Sequence, residues 1–193
     1  MFFGVSGSGK GTQAELLETA LKKADPTRGV VRVEMGALLR ALVKTDNTLA
    51  SRIEGILSAG GLVPSFIPAY LLTDFLSRNF SGTEHLLLDG VARRPIQSKL
   101  INQMVAFYGK RPCHSIVLEL NRETARARLI ARGRHDDSEA GQAIARRFAW
   151  YEEQVVPSIA TLERLSWQTH HIDGERDVET IHKDILHCLN ISG

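Results

Sequence analysis

The sequence predicts an α/β fold, a five-stranded doubly wound parallel sheet in a single domain of 193 residues, and three observations carry that expectation. A glycine-rich turn, Gly4-Val5-Ser6-Gly7-Ser8-Gly9-Lys10-Gly11-Thr12, stands between a short apolar run and a helical pattern. Short apolar runs then alternate with helix-periodic stretches to the end of the chain, the order that gives right-handed crossovers between parallel strands. Between the second and third apolar runs the pattern is helical throughout, which marks an insertion.

The elements follow in order. Met1 to Phe3 is a very short strand, and Gly11 to Ala24 places Ala14, Leu17, Ala20, Leu21 and Ala24 at helical spacing. Asp25-Pro26-Thr27 breaks that helix, and Val30 to Val33 is the second strand. Helices are expected over Gly36 to Val43, over Thr48 to Ala59 with a stop at Gly60-Gly61, and after Pro64-Ser65 with Pro68 in the first turn. His85 to Asp89 and Ile116 to Leu120 are strands, followed by helices over Pro95 to Phe107 and Arg122 to Arg132. Asp136-Asp137-Ser138 starts one long helix to about Leu165. His170 to Asp173 is the fifth strand, and Asp177 to Leu189 closes the chain as a helix. Ligands of such a sheet belong at the carboxyl ends of its strands.

Composition narrows the function. The chain is 43% hydrophobic and 24% charged, without low-complexity tracts. With no apolar run of membrane-spanning length and no leader-like N-terminus, a cytoplasmic protein is expected. Cys113 and Cys188 lack metal or disulfide spacing, and His170 and His171 lack partners at metal spacing. A net charge of +2 is too small to point to nucleic acid, yet arginines gather between Arg93 and Arg147, which suits a small poly-anion.

The glycine-rich turn supplies the chemistry for one. Its glycines let successive backbone N–H groups turn inward, and the helix that follows adds its positive end. Lys10 is placed to reach the β and γ phosphates of a nucleotide, which makes Gly7, Ser8, Gly9, Lys10, Gly11 and Thr12 a P-loop. A merely connecting turn seldom carries the full Gly-x-x-x-x-Gly-Lys spacing. Gly11 stands where a hydroxyl usually meets Mg²⁺, so another side chain must help to hold the metal.

Several separated motifs resemble those of adenylate kinases and related nucleoside monophosphate kinases, in the family's order and over nearly the whole chain. Gly7-Ser8-Gly9-Lys10-Gly11-Thr12-Gln13 is similar to the family's P-loop, including the glycine after the lysine. Gly36-Ala37-Leu38-Leu39-Arg40 and Gly61-Leu62-Val63-Pro64 resemble the two sides of its acceptor-binding region. Leu88-Asp89-Gly90-Val91-Ala92-Arg93 with Gln97 is similar to its central strand and the loop beyond. Arg128, Arg132, Gly133-Arg134-His135-Asp136-Asp137 and Arg147 resemble a short lid with its flanking arginines, and Ile172-Asp173-Gly174 resembles the loop where the donor base rests near Arg176.

The resemblance implies a P-loop kinase domain over 1–193, with a helical acceptor-binding subdomain at 35–72 and a short lid at 133–141. It implies reversible phosphoryl transfer from Mg·ATP to AMP by a monomer, without nucleic-acid or membrane partners. Such transfer is mostly alignment and stabilisation of negative charge. Lys10 and the loop serve the donor phosphates, with Arg128, Arg132 and Arg176 on the donor side. Arg40 and Arg93 grip the acceptor phosphate, Arg134 and Arg147 bridge the two phosphates, and Asp89 orders Mg²⁺ through water. Met35, Gly36, Gly61, Leu62, Val63, Gly90 and Gln97 line the acceptor side, where the Gln97 amide fits an adenine edge. No general base is required, since a phosphate acceptor is already largely dianionic at neutral pH, with a second pKa of about 6.

Departures from the family pattern concentrate at the acceptor base. Met35 replaces a usual threonine, Ala37 an aspartate, and Val91-Ala92 a Phe-Pro pair. The spacing before the long helix also leaves both Arg146 and Arg147 open for the phosphate-facing role. Kinases of CMP, UMP, dAMP or a small alcohol, and a nucleotide-binding switch with little turnover, are the other readings.

Overall fold

Five strands, β1 (Phe2–Gly4), β2 (Val30–Glu34), β3 (His85–Asp89), β4 (His114–Glu119) and β5 (Gln168–Asp173), pair in the order β2-β3-β1-β4-β5, every pairing parallel. The computed structural model describes residues 1–132 and 140–191. The helices are α1 (Lys10–Ala24), α2 (Met35–Val43), α3 (Thr48–Ser58), α4 (Phe66–Asn79), α5 (Pro95–Phe107), α6 (Arg122–Arg132), α7 (Ala140–Trp150), α8 (Val156–Arg164) and α9 (Val178–Cys188).

Strand alternation divides the core into two layers. Phe3, Val33, Leu88 and Val117 face one side, where they meet Leu76 of α4, Ile101 and Val105 of α5, and Ile159 and Leu162 of α8. Phe2, Leu87, Ile116 and Ile172 face the other, against Ala14, Leu17 and Leu21 of α1 and Ile181 and Ile185 of α9. Each fully buried leucine or isoleucine contributes about 1.5–3 kcal/mol, so the two layers fix the central strand from both sides. Phe2 pairs with Asp89 on one neighbour and Ile116 on the other, so β1 starts level with the acidic end of β3 and runs on past it. Both ends open on one edge of the sheet, at the loop that leads into α1.

Local chemistry sets the helix starts. Asn47 caps α3 by accepting from Ala50 N–H at 2.9 Å, and Asp177 caps α9 by accepting from Thr180 N–H at 2.9 Å. The N-cap of α1 is Gly9, which has no side chain to cap with, so the first N–H groups of α1 face the loop instead.

The expected long helix to Leu165 is interrupted. α7 ends at Trp150, Tyr151–Val155 forms a π-helical turn, and α8 begins at Val156. Val156 N–H donates to Tyr151 O, five residues back. The reason lies just beyond: Pro157 has no N–H for the carbonyl four residues earlier, and its ring crowds that carbonyl, so one wide turn relieves the clash. The proposed start of that helix at Asp136-Asp137-Ser138 lies outside the described residues. Among the described residues no helix is long and apolar enough to cross a membrane.

Candidate active site

The loop between β1 and α1 is shaped by glycines that no other residue can replace. Gly7 has φ 90°, and a Cβ there would lie 2.6 Å from Ala125 O of α6, so both backbone and space exclude a side chain. The loop can therefore approach the α6 backbone closely, and Ser8 N–H closes it by donating to Val5 O at 3.1 Å. Lys10 Nζ donates to Gly4 O and Val5 O, each at 2.8 Å, and to Ser8 Oγ at 3.3 Å. Ser8 is buried and Thr12 is exposed. Together with the uncapped start of α1 this is a positively polarised nest of the kind that holds phosphate oxygens.

Asp89 ends β3 directly beneath that nest and is only 9% exposed. Burial raises its carboxyl above the usual range, the neighbouring Glu34 adds to the rise, and Lys10, Arg93 and Arg32 oppose it. A Cβ on Gly11 would lie 3.9 Å from Asp89 Oδ2. The missing side chain at Gly11 thus leaves room beside a carboxylate oxygen, where a longer residue would press on it.

Arg93 shares the field of Asp89 with Lys10 and lies within reach of the charges of Arg147 and Arg40. Arg93 follows β3, donates from Nε to Gly90 O at 3.0 Å, and stacks its guanidinium carbon 5.6 Å from the centroid of the Trp150 ring. Burial lowers its pKa from the ordinary guanidinium range, Asp89 opposes that, and the positive charges of Arg147 and Arg40 lower it further. Arg40 of α2 pairs with Glu34 at 2.8 Å, and Gly36 leaves the space its side chain crosses, since a Cβ there would lie 3.0 Å from Arg40 Nη1. Arg147 on α7 is 9% exposed. Arg146 turns the other way and donates to Ala59 O at 3.3 Å. The buried Arg147, the partly buried Arg93 and the exposed Arg40 thus make a like-charged group that suits an anion.

Beside Arg93 a small cavity, about 10 Å³ and thus room for one water, is walled by Met35, Leu39, Val63, Arg94 and Gln97, with Gly61, Leu62 and Gly90 at its edge. Met35 is 1% exposed and wholly apolar in its contacts. Gln97 is 5% exposed, and its Oε1 accepts from Arg93 N–H at 2.8 Å and Arg94 N–H at 3.2 Å, closing the first turn of α5. The Gln97 amide oxygen is therefore already engaged by the backbone, while its Nε2 makes only a 3.4 Å contact with Ser65 Oγ.

Arg128, expected on the donor side, donates from Nη1 to Gly174 O at 3.0 Å and ties α6 to the loop after β5. Arg176 pairs with Asp173 at 3.4 Å and with Asp184, so its charge is held by α9. Arg134, most of the expected lid at 133–141 and the side chain of Arg132 lie outside the described residues.

Two residues here were not singled out by sequence. Arg94 donates from Nη1 to Val63 O at 3.0 Å and from Nη2 to Leu62 O at 3.2 Å. Trp150 donates from Nε1 to Gly60 O at 2.7 Å. Both clasp the loop between α3 and α4 to the body of the protein, and their partners are backbone carbonyls, which leave no side-chain signature in sequence.

The comparisons with known proteins agree with this geometry. A family model described as adenylate kinase matches residues 2–166. The chain is 34% identical over 190 residues to an adenylate kinase of Synechococcus sp. (strain RCC307), covering 98% of this chain and 97% of that protein. It is 30% identical over 200 residues to an adenylate kinase of Parvibaculum lavamentivorans, covering 100% of this chain and 92% of that protein. An adenylate kinase 1 of Synechocystis sp. is 30% identical over 181 residues, 94% of this chain and 91% of that protein. With a parallel sheet in the order β2-β3-β1-β4-β5, a glycine-rich loop and Lys10 after its central strand and a family model matched over residues 2–166, the chain belongs to the adenylate kinase family.

Proposed function

We propose that this protein catalyses reversible transfer of the γ-phosphoryl group of ATP to AMP. The observation that carries the reading is the facing pair of positive sites: Lys10 and the uncapped start of α1 on one side, and Arg93 with Arg40 and Arg147 in its field on the other. One site suits the donor triphosphate and the other the acceptor monophosphate. The moving phosphoryl group then passes between two sets of fixed donors, and stabilisation of its charge is the main service the protein performs.

Each residue has a task in that scheme. Lys10 exchanges its contacts with Gly4 and Val5 carbonyls for the donor's β and γ oxygens. Arg93 and Arg40 hold the acceptor phosphate in bidentate fashion, and Arg147, with Arg134 brought by the lid, spans the gap. Arg128 and Arg132 flank the donor, and the backbone around Gly174 near Arg176 supports its base. Gly36, Gly61, Leu62, Val63, Gly90, Met35 and Gln97 surround the acceptor nucleoside.

Mg²⁺ fits the residues present. Among the described residues no three potential ligands cluster, so the protein supplies few direct bonds. Mg²⁺ in nucleotide sites typically takes one or two carboxylates and fills its shell with phosphate oxygens and water. Asp89, with the space left by Gly11, meets that need by ordering water. The metal's contribution is to neutralise charge on the donor phosphates.

The test is a coupled assay of ADP formation with Mg·ATP and a panel of AMP, dAMP, CMP and UMP. AMP is expected to have the highest kcat/KM. A preference for CMP or UMP would move the protein to another monophosphate kinase activity, and tight ATP binding without product across the panel would leave only a nucleotide-binding role.

A further inference from the structure

We propose that Arg94 is a specificity-determining residue that reads the 6-position of the acceptor purine, favouring an oxygen there over the amino group of AMP and admitting a 6-oxopurine monophosphate as a second acceptor. The inference rests on the monophosphate kinase reading and concerns the base pocket of that same site.

The cavity beside Arg93 must open to admit a base, since it now holds room for one water. Its apolar walls belong to the main core: Met35, Leu39 and Val63 are each at most 5% exposed. Arg94 is the half-buried wall, held by two hydrogen bonds to carbonyls rather than by packing. A base that enters therefore meets the Arg94 guanidinium at the edge it presents.

The polar groups of this pocket are nearly all donors. Arg94 offers guanidinium N–H groups and has no acceptor. Gln97 has its oxygen occupied by Arg93 and Arg94 N–H groups, so the free end of its amide is a donor too. The carbonyls of Leu62 and Val63, the natural acceptors for an exocyclic amine, each already accept one guanidinium N–H from Arg94, which places its positive charge beside any amine that would use their second lone pair. Met35 adds no hydrogen-bonding group. An adenine edge at N6 and N7 offers one acceptor beside one donor, and the donor faces further donors. A 6-oxopurine edge offers O6 and N7, both acceptors, which a guanidinium engages bidentately.

AMP and IMP differ at this edge and at N1 while sharing sugar and phosphate, so the change in their ratio between the wild type and an Arg94 variant reads the Arg94 contact. Arg94→Met keeps the stem and removes the donors, and Arg94→Lys keeps a charge without the fork. Dissociation constants for AMP and IMP, measured by titration calorimetry, are compared with kcat/KM for both. In the wild type IMP is expected to bind and to be phosphorylated. In Arg94→Met the preference for AMP over IMP rises about tenfold, the factor a lost bidentate contact implies, and Arg94→Lys lies between. A purely structural tie to the Leu62-Val63 loop would weaken both ligands alike and leave the ratio in place. A ratio within twofold of wild type in folded Arg94→Met overturns the proposal, and Arg94→Lys decides if the methionine variant does not fold. Absence of turnover with every monophosphate would sink the kinase reading instead, while the binding ratio still judges Arg94.

Discussion

Lys10 Nζ donates to the carbonyl oxygen of Val5 at 2.8 Å, which folds the lysine back over its own loop. The ammonium is thereby held where phosphate oxygens would arrive, at the cost of contacts those oxygens can replace. Lys10→Ala is expected to lower kcat about 10²–10³-fold, the effect of removing one preorganised charge donor. The half-exposed lysine supports no core, so the variant should keep its circular dichroism and lose less than about 2 kcal/mol of stability. Near-normal turnover in the folded variant would remove Lys10 from the phosphate site.

Gly90 links Asp89 to the arginine that follows it. It has φ 65°, and a Cβ there would lie 3.1 Å from Arg93 Nη2. Gly90→Ala therefore meets two costs, a left-handed backbone worth about 1–2 kcal/mol and a displaced guanidinium. Thermal unfolding should show the first, and a raised KM for the acceptor with little change in KM for ATP should show the second. Equal changes in the two KM values would mean that Arg93 does not serve the acceptor side.

Asp89 gives a pH signature. Its pKa is raised in the folded protein above the ordinary 3.8, so the folded state holds this proton more tightly than the unfolded chain. Stability from this group is thus greatest at low pH and falls as pH rises through the folded pKa. Asp89→Asn, which cannot ionise, is expected to be more stable than wild type at pH 7, with the advantage closing below about pH 4, and to be less active with Mg·ATP. Unfolding midpoints across pH check this, and a variant less stable at pH 7 would show that Lys10 and Arg93 outweigh burial.

The glycine-rich loop before α1 and the acid that ends β3 are legible in the sequence because they are written in residue types that have few other uses. Three glycines and a lysine at fixed spacing, and an Asp-Gly at a strand end, announce themselves without a structure. The all-parallel sheet followed from the alternation of apolar runs with helices. The break at Tyr151–Val155 was missed, although Pro157 carried the signal, because helix propensity on both sides of it is good. Gln97 was read as a free amide, and only the backbone geometry at Arg93 and Arg94 shows its oxygen engaged. Nothing in the sequence singles out Arg94, since the Leu62 and Val63 carbonyls it binds lie 32 and 31 residues away.

Trp150 gives the last prediction, because it joins three parts of the site. Its Nε1 donates to Gly60 O in the loop between α3 and α4, its ring lies under Arg93, and its position at the end of α7 is next to the π-helical turn. The hydrogen bond ties the loop between α3 and α4 to α7, and the ring packs against the guanidinium of Arg93. Trp150→Phe removes the first and keeps most of the second. The loss of one such hydrogen bond, about 0.5–1.5 kcal/mol, predicts a rise in acceptor KM of roughly two- to tenfold. Trp150→Ala also loses the cation–π contact, worth about 0.5–2 kcal/mol, and should raise KM further and lower kcat, since Arg93 then loses its orientation. KM for ATP should change little in either variant. Hydrogen exchange at Ala59 to Gly61 should be faster in both variants than in wild type without nucleotide, and equal once an ATP–AMP bisubstrate mimic is bound. If Trp150→Phe matched Trp150→Ala in every constant, the ring would contribute nothing beyond its N–H, and Arg93 would be held by Gly90 alone.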